Sequence, residues 1–130
     1  MRLILLIAAL SLTAACKKDE TVRAYGGAGK DWHLSELNEN PFTAKATLTF
    51  PEAGRIAGNA PCNSYNATMT VPYPWFEVGP IAATKRACPD LAAEAAFFAA
   101  LDTATLSEVQ GNFLILSNTD GLSMVFTAAD

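Results

Sequence analysis

The chain has 130 residues, 51% hydrophobic and 17% charged, with 9 Lys+Arg against 13 Asp+Glu and a formal net charge of −4. That length holds one domain plus processing signals, and the acidic balance excludes the basic footprint of a nucleic-acid-binding protein. A single histidine, with no C-x-x-C or H-x-x-x-H spacing, leaves zinc without a ligand set, so neither metal nor cofactor is expected.

Residues 1–15 read as a signal peptide. Met1-Arg2 supplies a short positive start, residues 3–12 are almost unbroken apolar, and small residues lead to Cys16 in SLTAACKK. The run is too short to span a bilayer stably. Its end resembles a bacterial lipobox, with Thr13 where Leu is more usual, and Cys16 is the predicted lipidation site. Acylation there on both thiol and amine would satisfy the need of stable anchoring for more than one chain. The plainer alternative is an ordinary signal peptide cut near Ala15 that leaves Cys16 a free thiol. Removing residues 1–15 leaves 8 basic against 13 acidic residues, a net charge of −5. Lys17 and Lys18 beside the lipid would favour anionic head groups. With Cys16 set aside, Cys62 and Cys88 remain as an even pair in an exported, oxidising compartment, which predicts a disulfide.

Residues 16–30, the lipidated cysteine followed by charged and then glycine-rich sequence, read as a flexible tether, and the domain is expected over 31–130. DWHLSEL alternates as a first strand with Trp32 inward and His33 outward, and residues 38–41 form a turn. TAKATLTF places Ala44, Ala46, Leu48 and Phe50 on one face and Thr43, Lys45, Thr47 and Thr49 on the other, a half-buried antiparallel strand. Residues 55–65 read as one extended run in which Gly58 and Pro61 mark a bulge or edge. Short strands follow over 66–71 and 76–82, separated by a VPYPW loop whose prolines remove ladder donors.

After Cys88 the period lengthens. Leu91, Ala95, Phe98 and Leu101 predict one amphipathic helix at about 89–102, with Pro89 in its first turn and Asp90 and Glu94 near its positive end. Three strands complete the chain over 105–109, 113–117 and 122–127, the last two joined by an Asp-Gly turn. The sum is a mainly β (α+β) fold: an antiparallel sheet closed, or nearly closed, into a small barrel with one helix.

Several spaced elements then resemble a known family. GRIAGNAPCNSYNATM, IAATKRACP, FFAALDTA and GNFLILSNTDG with MVF follow in the order of the META domain, the HslJ-like family of bacterial exported proteins. The matching positions are Cys62, Asn63 and Tyr65; Thr84, Cys88 and Pro89; and Leu114, Leu116, Gly121, Met124 and Phe126. DWHLSELN also resembles the family's Trp-x-Leu start, while Ala60-Pro61 and Met124 depart from its pattern. The resemblance implies a lipocalin-like small β-barrel with one helix, an envelope location and stress-associated expression, and it implies no established enzymatic activity.

Cys62 as a nucleophile would need a base within reach, and His33 is the sole histidine; the disulfide is the preferred reading and no catalytic residue is assigned. Asn63 and Tyr65 could meet a ligand at a barrel mouth, or serve the backbone and core instead. Thr84 and Arg86, with Lys85, could hold an anion beside the helix N-terminus, or form a solvated loop. Tyr73, Trp75 and Phe76 could form an exposed contact patch or plug the barrel. The function expected is a lipid-anchored envelope module facing the periplasm, with no catalysis and an unidentified envelope protein partner. Lys17 directly after the anchoring cysteine resembles lipoproteins sorted to the outer membrane. Two rivals stand beside this: a small-ligand carrier with an apolar cavity of about 300 Å³ or more, and a protease inhibitor acting through VPYPW.

Overall fold

The computed structural model describes residues 18–129. The signal peptide and Cys16 lie outside them.

β1 (Trp32–Leu37) forms where alternation puts Trp32 and Leu34 inward and His33 outward. Asn38 and Glu39 both take positive φ (50° and 67°), and this two-residue turn leads into β2 (Asn40–Pro41), which folds back on β1. β3 (Thr47–Leu48) pairs with the other half of that edge, Trp32 opposite Leu48. On its far side β1 pairs antiparallel with β9 (Ser123–Ala128), followed by β8 (Phe113–Ser117) and β7 (Leu106–Gln110). A second, three-stranded sheet contains β4 (Arg55–Asn59), β5 (Ser64–Thr68) and β6 (Ala82–Ala83).

The two sheets meet at one bridge, Thr49 with Ala57. Here β4 crosses so close to β3 that a side chain on Gly58 would collide with the Thr47 carbonyl, which also accepts the Tyr65 hydroxyl at 2.7 Å. Gly58 therefore marks a close approach on an edge strand; of the bulge or edge expected, the edge is what forms, since the β4–β5 register runs without a shift from Arg55 opposite Thr68 to Asn59 opposite Ser64. At the other end Trp75 bridges to Leu106. No closed barrel is formed by these ladders among the described residues. The segment that would join β7 to β6 carries Pro72, Pro74 and Pro80, which have no N–H to donate. The expected strand over 76–82 is correspondingly reduced to Ala82–Ala83.

Other boundaries differ from expectation. The strand over residues 43–50 is reduced to Thr47–Leu48, with Thr47 buried and not outward because its hydroxyl accepts the Asn59 N–H at 2.9 Å, and the strand over 66–71 ends at Thr68 within β5. Residues 55–65 are two strands, not one, because the chain turns at Ala60, whose N–H donates to the Asn63 carbonyl at 2.7 Å. Residues 18–30 are not a flexible tether. Val22–Tyr25 forms a short 3-10 helix closed by Gly26 at φ 112°, and Val22 is fully buried in the core. Arg23 Nε donates to the Phe50 carbonyl, and the Gly27 carbonyl accepts the Trp32 indole N–H at 2.9 Å. Burial pushes the Asp19 carboxyl up, but the Thr21 hydroxyl and amide and the Arg23 guanidinium outweigh it and hold it below the ordinary carboxylate value. The glycines here serve a tight turn onto the core; their number suggested flexibility.

α1 (Leu91–Thr103) lies close to the expected span but on another face. Glu94, Phe97, Ala100 and Leu101 are buried, whereas Leu91 is 47% exposed and Ala95 is exposed. An alanine-rich helix has no strong apolar stripe, so its two phenylalanines and one carboxylate decide the face. Phe97 packs edge-on to Tyr65 and against Phe42.

Candidate functional site

The turn between β4 and β5 brings the expected residues together around one missed by the sequence reading, Glu94. The N–H groups of Cys62 and Asn63 point in the same direction, and both donate to Glu94 Oε1, at 3.0 and 2.8 Å. Successive N–H groups of this kind form an anion-binding concavity, and here the anion is the protein's own carboxylate. Glu94 Oε2 accepts Asn63 Nδ2 at 2.7 Å.

The rest of the Asn63 amide faces the segment before the helix. Its Nδ2 donates also to the Arg86 carbonyl (3.0 Å), and its Oδ1 accepts the Arg86 N–H (2.6 Å) and the Thr84 hydroxyl (2.9 Å). Two donors and two acceptors are all that an asparagine side chain offers, so its capacity is fully used. Cys62 and Cys88 are disulfide-bonded, with Cα atoms 5.6 Å apart. On the chain-entropy model, closing this 26-residue separation stabilises the fold by roughly 3.5 kcal/mol. Tyr65 is buried with its ring edge towards Phe97 and Phe98, and burial pushes its phenol pKa well above the ordinary value.

Among the described residues no buried side-chain polar atom lacks a hydrogen-bond partner, and no group of His, Cys, Asp and Glu is placed to hold a metal. The cluster's polar capacity is spent inside the protein. What it leaves outside is a shallow cleft of about 340 Å³ whose rim carries Thr84, Lys85, Arg86 and the half-exposed Leu91.

Tyr73 and Trp75 lie elsewhere. Their loop is fixed on several sides: Tyr73 N–H donates to the Glu20 carbonyl (2.7 Å), Phe76 N–H to the Thr105 carbonyl (2.9 Å), and Ser107 N–H to the Pro74 carbonyl (2.7 Å). Its aromatics divide three ways. Phe76 is buried, Tyr73 is half-buried and stacks on Tyr25 at 4.8 Å, and Trp75 is 57% exposed. Trp75 borders a groove of about 450 Å³ shared with Val71, Pro72, Asp102, Ala104 and Thr105. The first cleft sits at the start of α1 and this groove at its end, so the 13-residue helix separates them by about 20 Å.

The sequence held one clue to Glu94. It stands three residues before Phe97 and seven before Leu101, on the same helical stripe. A carboxylate on a buried stripe needs donors, and the Cys62-Asn63 turn supplies them.

Comparison with known proteins gives the family context. A model of the META domain matches residues 27–130. Among solved structures, an NMR structure of a protein from Burkholderia xenovorans is similar with a TM-score of 0.65 and 19% identity, covering 95% of this chain and 99% of the other. A DUF4847 family protein from Bacteroides vulgatus is similar with a TM-score of 0.67 and 14% identity, covering 82% of this chain and 96% of the other. At these identities the likeness shows the fold alone. No curated protein matches the chain.

Proposed function

This chain belongs to the META domain family, and on that premise we propose that it is a non-catalytic accessory module of the bacterial envelope. Lipid at Cys16 anchors it facing the periplasm, on the outer membrane, and it supports envelope integrity or stress tolerance by contacting another envelope protein. The leader and the CKK sequence favour export and anchoring, and a disulfide suits an oxidising compartment.

The contact surface is the segment 84–91. One observation carries this assignment: Arg86 is held at both backbone groups by the Asn63 amide, while its side chain and that of Lys85 stand exposed. The disulfide fixes the chain again at Cys88. A surface ordered before binding loses little conformational entropy when a partner arrives. Two cations on a net acidic chain select and steer an acidic partner face.

A photo-crosslinking residue placed at Arg86 in living cells tests this. It should capture one discrete envelope protein, and Lys85→Glu in the same chain should abolish the capture. An unchanged product with Lys85→Glu, or none at all, would contradict the assignment. Carriage of a ligand through the interior gains no comparable support, because Trp32, Phe97, Leu114, Leu116, Met124 and Phe126 are fully buried there and fill the space.

A further inference from the structure

The packing of residues 18–30 changes how far the domain can stand from whatever holds Cys16. A flexible tether of that length would let it move freely. Instead the Glu20 carbonyl is bonded to Tyr73 N–H, Thr21 and Val22 are buried, and Tyr25 is stacked on Tyr73. Only four residue steps separate Cys16 from Glu20. Fully extended, they reach about 14 Å.

The chain enters the domain beside aromatic side chains: Glu20 is bonded to Tyr73, on which Tyr25 stacks. Lys18, Asp19 and Glu20 border one groove together with Pro72, and Pro72 borders the next groove together with Val71 and Trp75. Trp75 and Tyr25 are 57% and 56% exposed, two of the four large hydrophobic side chains exposed among the described residues. Both have an apolar ring with a polar tip, the side-chain type that settles at the boundary between hydrocarbon and head groups. Around them Asp19 is paired with Arg23, and Lys18 stands against Asp19, Glu20, Glu77 and Asp102 on the two grooves, a net negative lining that favours a zwitterionic over an anionic lipid.

We infer that the Tyr25–Tyr73–Trp75 patch is a membrane-docking surface that inserts into the interface of a zwitterionic bilayer beside the lipid anchor. This rests on the anchoring at Cys16 proposed above. The lipid holds the domain near the membrane, and the patch sets its orientation. The end of α1 then lies beside the bilayer with Trp75, and its start, with Lys85, Arg86 and Leu91, is about 20 Å away along the helix.

The test is tryptophan fluorescence of the full mature protein in phosphatidylcholine vesicles carrying a bromine on the lipid just below the head group. The chain has two tryptophans, and Trp32 is fully buried, so Trp75 is the reporter. Acylation is read separately, by intact mass and by flotation with the vesicles. The expected result is bromine quenching with a blue shift, protection from aqueous iodide, and loss of the quenching in Trp75→Phe. A chain that floats while Trp75 stays open to iodide and unquenched overturns the docking and leaves the anchor standing. A chain with no acyl mass that remains soluble overturns the anchor and the docking together. Protection of Trp75 in native membranes but not in lipid vesicles overturns the lipid assignment in favour of a protein cover.

Discussion

Substituting Asn63→Asp would replace the two donors of the amide with a carboxylate facing Glu94 Oε2, now 2.7 Å away. The Arg86 carbonyl would lose its partner as well. Leaving a buried charge without compensation costs about 3–5 kcal/mol, so urea unfolding should show the variant destabilised by that order, with the disulfide intact. Tyr65 gives a pH signature. Burial raises its folded pKa above the unfolded value of about 10. The stability contributed by the neutral phenol is therefore complete below about pH 10 and is lost as pH rises through and beyond that value. Phenolate absorbance from Tyr65 should appear only together with unfolding, and Tyr65→Phe should remove that part of the alkaline transition. Asn63 and Tyr65 were visible in the sequence as unusual residues near a cysteine. The partner of Asn63, Glu94, was not, because a glutamate in the first turn of a helix is already explained by the helix dipole, and the stripe it shares with Phe97 competes with the equally apolar 91–95–98–101 face.

At the scale of elements, the β1–β2 turn places Glu39 at φ 67°, in the left-handed region that costs a residue with a Cβ roughly 1–2 kcal/mol. Glu39 is exposed. Glu39→Gly should raise stability by about 0.5–1 kcal/mol after the added freedom of the unfolded chain is subtracted, a shift readable as a higher urea midpoint with an unchanged slope. The strands β1, β8 and β9 were legible because their apolar residues alternate and turn residues bound them. The β4–β5 hairpin was not, because alternation keeps its parity through Ala60 and Cys62. Pro61 read as an edge signal is the residue beside which the chain reverses. The loop at 71–76 was legible from its prolines, but its aromatics could not be sorted: Phe76 goes in and Trp75 goes out because Phe76 N–H docks on the Thr105 carbonyl.

For the whole molecule, the segment that precedes the family match at residue 27 belongs to the packed domain. A chain beginning at Gly27 would leave the Val22 site empty, and it should be less stable by about 2 kcal/mol than one beginning at Lys18. Equal unfolding midpoints would mean that the segment does not carry the core contact described. Composition concealed this, since charged and glycine-rich sequence has the profile of a linker and a single valine gives no period. The antiparallel sheets with one helix followed from the order of patterns, whereas the division into two sheets depends on the Gly58 crossing and on prolines in the joining segment, neither of which has a sequence period. At this scale the central claim is that the Cys62–Asn63–Glu94 cluster is a closed brace that holds the 84–88 segment still. Amide hydrogen exchange by NMR on the oxidised protein tests it most directly. The account predicts that the N–H groups of Cys62, Asn63 and Arg86, all outside the ladders, are protected as strongly as the β8 amides. Exchange of those three at the rate of an open loop would contradict it.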